Sequence, residues 1–209
     1  MDTYTPKQWK ALLDNVSDDG TRLHLCGIYV APGAAWATDG HTAIVVGKAT
    51  DAGVHVPVEV ARNLLRVAGP KGWISVEHGV AVRACDSKGG ALLAHDLRGP
   101  SVHTSPPIEQ VLTIPPAAHA PTLHHINAEL LERALALQVA CDKHAQRGVP
   151  AGGVAITLGE QGDPWIVSAT DDSDRPWRLA VMPMRVPDPE RVAKCKEAEE
   201  SLAAKRSKK

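Results

Sequence analysis

Apolar positions along this chain recur in two alternating rhythms. Trp9, Leu12, Leu13 and Val16 follow a helical spacing behind Thr5-Pro6, a capping hydroxyl with proline at the first helical position. Asp18-Asp19-Gly20 stops that pattern, and an extended segment from Arg22 to Val30 follows, closed by a turn at Ala31-Pro32-Gly33. Trp36-Ala37-Thr38 and the β-branched run Ile44-Val45-Val46 then flank Asp39-Gly40. Asp-Gly suits the two central positions of a tight turn, because glycine carries no Cβ and aspartate tolerates the left-handed region. The spacing predicts a β-hairpin whose tip gathers Thr38, Asp39 and His41. The first module reads helix, strand, strand, strand.

The same order returns. Pro57 opens a helix with Val60, Ala61, Leu64, Leu65 and Ala68 on one face, ended by Gly69-Pro70, and strands follow at Trp73–Val76, Val80–Ala84 and Ala91–Asp96. Ser105 to Val111 leads into a short extended piece ending at Pro115-Pro116, and residues 115–122 have the composition of a proline-stiffened linker. Asn127 caps a third helix running through Val139, and strands are predicted at Gly153–Leu158, Trp165–Ala169 and Trp177–Val186. Beyond Pro187 the chain turns polar, and Glu190–Lys209 lacks a broad apolar face, as a solvated tail does. Three copies of one α+β unit, at a period of roughly 60 residues, are longer than solenoid repeats. Their sheets can cover exposed strands by pairing edge to edge.

Composition narrows the chemistry. The chain has 209 residues, enough for one large or two small domains, and its core must come from Val, Leu, Ile, Ala and a few Trp because phenylalanine is absent. A formal net charge of −1 gives no global field for a polyanion, so any nucleic-acid contact must come from local Lys and Arg. Cys26, Cys85, Cys141 and Cys195 lie far apart without a C-x-x-C pair, which points to free buried thiols rather than zinc. The N-terminus carries no apolar signal core, and no run reaches the ~18–20 apolar residues of a membrane span. A cytoplasmic, reducing compartment is the expectation, with no cofactor and no membrane partner.

Three strings resemble a known family. ATDGH, at residues 37–41, is similar to the hairpin in the middle domain of the bacterial DNA polymerase III beta subunit, the sliding clamp. Val181-Met182-Pro183-Met184-Arg185-Val186 resembles the clamp's C-terminal end, and Ser105-Pro106-Pro107 through Val111 resembles the segment closing its middle domain. Leu23–Tyr29 resembles the strand before the hairpin, and all of these stand in the family's order. The resemblance covers about Thr5 to Val186 and implies an α+β, DNA-clamp-like fold in shortened form. Residues 1–118 would form one clamp-like domain from two units (1–52 and 53–118), residues 119–187 a third half-domain unit, and residues 188–209 a polar tail.

The family's function is implied with the fold: a non-enzymatic processivity factor in DNA replication, partnered by duplex DNA, by polymerase or other replication proteins through short linear peptides, and by copies of itself. If the family's ring of twelve units is kept, three units per chain imply four chains. The peptide cleft would include Leu25, Thr38, Gly40, His41, Thr42, Pro106, Gln110, Val111, Val181, Met182, Pro183, Met184 and Arg185. Methionine is adaptable and suits a groove that accepts several ligands. Two departures reduce the pocket's charge and apolar depth: Thr42-Ala43 stands where the family has arginine then leucine, and Gln110 where it has a basic residue. DNA contacts would come from Lys7, Lys10, Arg22, Arg62, Arg66 and Arg133, since phosphate contacts need positive charge without base readout.

Plainer readings stand beside each of these. The cations share their helices with Asp14, Glu59, Glu129 and Glu132, as a solvated face does, and the Met-Pro-Met strand also reads as an edge of the core. Asp39 and His41 fit turn chemistry better than an acid–base pair, since no nucleophile motif accompanies them. His124-His125 lacks a third metal ligand, and Asp171, Asp172 and Asp174 lack the glycine and distal glutamate of a calcium loop. A clamp-derived adaptor or decoy for replication factors, never encircling DNA, is the alternative function.

Overall fold

The computed structural model describes residues 1–48, 53–98, 103–112, 132, 136, 155–157, 164–170 and 176–182. Their order is β1 (Asp2–Tyr4), α1 (Pro6–Leu13), a 3-10 turn (Leu23–Leu25), β2 (Gly27–Ala31), β3 (Ala34–Thr38), β4 (Thr42–Gly47), β5 (Val54–Pro57) and α2 (Val58–Ala68). There follow β6 (Trp73–Glu77), β7 (Ala81–Cys85), β8 (Ala91–Asp96), α3 (Ile108–Leu112), β9 (Ala155–Thr157), β10 (Trp165–Thr170) and β11 (Pro176–Val181). Two antiparallel sheets result, one ordered β1-β6-β7-β8 and the other β5-β2-β3-β4-β11-β10-β9.

Strand β11 joins the first module's sheet along β4, with Ala180 opposite Ala43 and Val181 opposite Thr42. The third module therefore extends the first by edge pairing, which satisfies the backbone groups of both edges. The first two modules also exchange strands. β1 precedes α1 yet pairs with β6, while β5 precedes α2 yet pairs with β2. Neither strand follows from the apolar rhythm, since one is three residues long and the other ends in the proline that opens α2.

Local chemistry explains the helices. Thr5 caps α1 with a full capping box: its hydroxyl accepts from the Gln8 backbone N–H, and the Gln8 side chain accepts from the Thr5 backbone N–H. The helix stops at Leu13, short of Val16, as Asn15 turns its amide back to the Ala11 carbonyl at 2.9 Å. Gly69 ends α2 with φ of 62°. Leu23–Leu25 is a 3-10 turn and not the start of an extended strand, because the Leu25 N–H bonds the Arg22 carbonyl at 2.7 Å. α3 forms within the stretch from Ser105 to Val111, for which no regular element was expected, and ends one residue beyond it. Of the third helix only Glu132 and Ala136 are described, and both are helical.

The seven-stranded sheet is apolar on both faces. One face supplies Ile28, Val30, Ile44, Val46, Leu179 and Val181 to a core shared with α1, α2 and the four-stranded sheet. Trp9 anchors this layer, fully buried, its indole N–H donating to the Ala61 carbonyl at 3.0 Å and so tying α1 to α2. The other face gathers Tyr29, Trp36, Ala43, Val45 and Ala180 under Ile108 and Leu112 of α3. Alternation along β11 thus sends Val181 to the helices and Ala180 toward α3. Cys85 is a free buried thiol, whereas Cys26 is only partly buried, so the expectation of buried thiols holds for one of the two described cysteines.

Candidate functional site

At the β3–β4 tip the loop is centred on Gly40-His41 rather than on Asp39-Gly40. The Asp39 N–H donates to the Thr42 carbonyl, so these two residues flank the loop, and Gly40 takes the positive φ of 90°. Asp39 closes the loop with its side chain: Oδ1 accepts from the backbone N–H of His41 at 2.8 Å and of Thr42 at 2.7 Å. That is an Asx turn, and it occupies the carboxylate an acid–base pair would need. Thr42 then fixes the tip to α1. Its hydroxyl donates to the buried Asn15 Oδ1 at 2.8 Å.

Beside the tip lies an apolar hollow of about 200 Å3. Leu25, Thr38, Gly40, His41 and Thr42 wall it on the hairpin side, with Ala43 on its floor. β11 supplies Ala180 and Met182, and the Met182 N–H donates to the His41 carbonyl at 3.0 Å. Pro106, Pro107, Ile108 and Val111 close the third side. That last wall is held by Tyr29, whose hydroxyl lies 2.8 Å from the His24 carbonyl and 3.2 Å from that of Thr104. Burial pushes the phenol up to about 12, so it stays a donor.

Of the residues expected to share a cleft, the structure brings together Leu25, Thr38, Gly40, His41, Thr42, Pro106, Val111 and Met182. Val181 is fully buried in the helix-side core and does not line the hollow. Gln110 is exposed on α3 and does not line it either. Pro183, Met184 and Arg185 lie outside the described residues. Sequence reasoning missed Ala43, Pro107, Ile108 and Ala180; period-two alternation from Met182 pointed to Ala180 and away from Val181.

Four of the cations expected to meet DNA sit on adjoining helices, and Arg22 precedes the 3-10 turn. Lys7 and Lys10 are exposed on α1, and Arg62 and Arg66 are exposed on α2. Carboxylates compensate much of that charge. Lys10 pairs with Asp14, Arg22 with Asp19, and Arg62 with both Asp18 and Glu59. Arg66 donates to the Asn63 amide oxygen at 3.1 Å. Arg133, His124-His125 and the Asp171–Asp174 run lie outside the described residues. Among the described residues no three His, Cys, Asp or Glu side chains come together as metal ligands, and no helix is long and apolar enough to cross a membrane.

The architecture recurs among bacterial sliding clamps. The clamp of Bartonella birtlesii bound to griselimycin is 16% identical, with a TM-score of 0.50 over 88% of this chain and 66% of that one. The Helicobacter pylori beta clamp in complex with diflunisal is 9% identical, with a TM-score of 0.53 over 88% of this chain and 64% of that one. The fold is therefore clamp-like, α+β and built from helix-plus-antiparallel-sheet units, and the chain spans about two thirds of the length of these clamps (66% and 64%). No protein-family model and no curated protein sequence matches the chain.

Proposed function

We propose that this chain is a DNA sliding clamp or clamp-like processivity factor in DNA replication, acting by binding and not by catalysis. The hollow beside the hairpin tip receives short linear peptides of replication proteins, and the α1–α2 face meets duplex DNA without base readout. Residues 1–118 act as one clamp domain and residues 119–187 as a further half-domain unit. A closed ring then requires copies of the chain, four of them if twelve units are kept. The observation that carries this reading is the join of β4 to β11, because it sets the hairpin tip and Met182 around one apolar hollow within a clamp-like fold.

Topology tests it. A clamp loaded on closed circular duplex DNA is retained through gel filtration and is lost once the circle is cut. Equal retention on circular and linear DNA, or none on either, contradicts encirclement and is the outcome that an adaptor for replication proteins predicts.

A further inference from the structure

The four-stranded sheet ends on an apolar strand, β8, whose outer edge pairs with no strand among the described residues; only β7 bonds to it. Ala91 to Ala94 are all exposed along it, with Leu92 at 53% and Leu93 at 38%. Such an edge is a template for another strand, and natural edges are blunted by a lysine, a proline, a bulge or a covering loop. Ala91-Leu92-Leu93-Ala94 carries neither lysine nor proline, and the register shift against β7 is confined to the start of β8, leaving Leu93 to Asp96 regular. The chain itself shows what covers the equivalent edge. β2, β3 and β4 follow α1 as β6, β7 and β8 follow α2, and the exchanged strands β5 and β1 complete the two sheets alike. β8 is therefore the counterpart of β4. β4 is buried along its whole length with β11 beside it, and β11 is itself the last of the three strands β9, β10 and β11. The β4–β11 seam thus joins the final strands of two modules, antiparallel, and β8 is the final strand of the module left over.

We infer that β8 pairs antiparallel with β8 of a second copy of this chain, about a two-fold axis through the new seam. Two identical strands paired antiparallel close on themselves, so each copy gives and receives the same backbone bonds. The seam repeats between chains what β4 and β11 make within one. Leu93 lies opposite Ala84 and His95 opposite Val82, which sets both on the helix-side face of the sheet. Leu93 stands there as Ile44 does in β4, and Ile44 is buried with Leu179 of the adjoining strand opposite it. A second β8 supplies that missing neighbour and satisfies the outward backbone groups of both edges. The contact is argued from the β4–β11 seam alone; its place in a closed ring rests on the reading of the chain as a clamp built from copies, and it names one of the joins such a ring needs.

Sedimentation equilibrium and amide hydrogen exchange on the full chain, from about 1 to about 100 µM, test it. The mass is expected to rise towards at least twice that of one chain, and exchange at Ala91–Asp96 to slow over the same range. Leu93→Lys sets like charges close together across the axis and weakens association at least about tenfold at an unchanged urea midpoint. Leu23→Lys, at an exposed leucine outside both sheets, leaves association unchanged. If Leu93→Lys lowers the urea midpoint, exchange in the unaltered chain decides. Self-association that leaves exchange at Ala91–Asp96 independent of concentration, or that a folded Leu93→Lys does not weaken, overturns the β8 pairing and leaves a ring to close through another edge. A chain that stays monomeric at about 100 µM overturns the pairing and the ring of copies with it.

Discussion

Met182 donates its backbone N–H to the His41 carbonyl oxygen at 3.0 Å, one step beyond the last registered pair of β11 and β4. Through this bond the end of a strand near residue 180 is tied to a hairpin tip near residue 40. The Met182 side chain, 40% exposed, is left over the hollow. Replacing it with aspartate removes apolar wall without disturbing a packed core. Met182→Asp is expected to lower peptide affinity at least about tenfold while changing unfolding free energy by less than about 0.5 kcal/mol. Anisotropy titration and urea denaturation of the same sample check the two halves of that statement.

Thr42 and Asn15 form a buried side-chain pair, 2.8 Å between oxygens, that locks the tip to the end of α1. Thr42→Val keeps the shape and strands the Asn15 carbonyl away from water, so it costs about 1–3 kcal/mol. Thr42→Ser keeps the hydroxyl and is expected to recover most of that loss. Urea midpoints of the two variants give the comparison.

Gly47 closes β4 with φ of 100°, and a Cβ there would lie 1.9 Å from the Gly33 carbonyl oxygen. Gly47→Ala therefore combines a strained backbone with a clash against the β2–β3 turn. A loss of about 2–4 kcal/mol is expected. Gly79→Ala, also at positive φ but with open space around its Cβ, separates strain from clash and costs less. Thermal unfolding of the pair measures the difference.

Acid sensitivity has a named source. His55 packs against Tyr29 and His103, and burial, with His103 and His24 nearby, pushes it down to about 4. As pH falls below the ordinary histidine value of about 6.5, the unfolded chain takes up this proton first. The stability His55 contributes is thus complete above about pH 6.5 and is lost between there and about pH 4, by roughly 1–2 kcal/mol after allowance for the ring's partial exposure. Asp2 adds in the same direction at lower pH. Its burial raises the carboxyl, but the Gly33 N–H and the His78 ring more than offset that and hold it below its usual value. His55→Gln is expected to flatten the upper part of the acid limb, read from denaturant midpoints across the pH range.

Much of the hairpin and of helices α1 and α2 was legible, because Thr5-Pro6, Asp39-Gly40 and Gly69-Pro70 act through local chemistry that tertiary packing did not oppose. The tip shifted by one residue because the Asp39 carboxylate makes a better bond to the backbone N–H groups ahead of it than a central turn position allows. The exchanged strands were not legible. Asp2–Tyr4 is too short to show alternation, and its place is set by Tyr4 entering the shared core. Leu23-His24-Leu25 imitates a strand by alternating, but the Tyr29 hydroxyl and the Ser17 N–H draw its carbonyls into a compact turn. At the hollow, Thr38, Gly40, His41 and Thr42 of the hairpin were named from the sequence, whereas Ile108 and Pro107 arrive through Tyr29's bond to Thr104, a contact spanning 75 residues.

The most direct measurement is a two-dimensional NMR titration of the full chain, labelled at methionine methyl groups and backbone amides, with a short peptide carrying a Leu-Leu anchor. The Met182 methyl and the His41 and Thr42 amides are predicted to shift together along one saturation curve. Saturable shifts confined to other surfaces, with Met182 and the hairpin tip unmoved, contradict a docking groove at the β4–β11 seam.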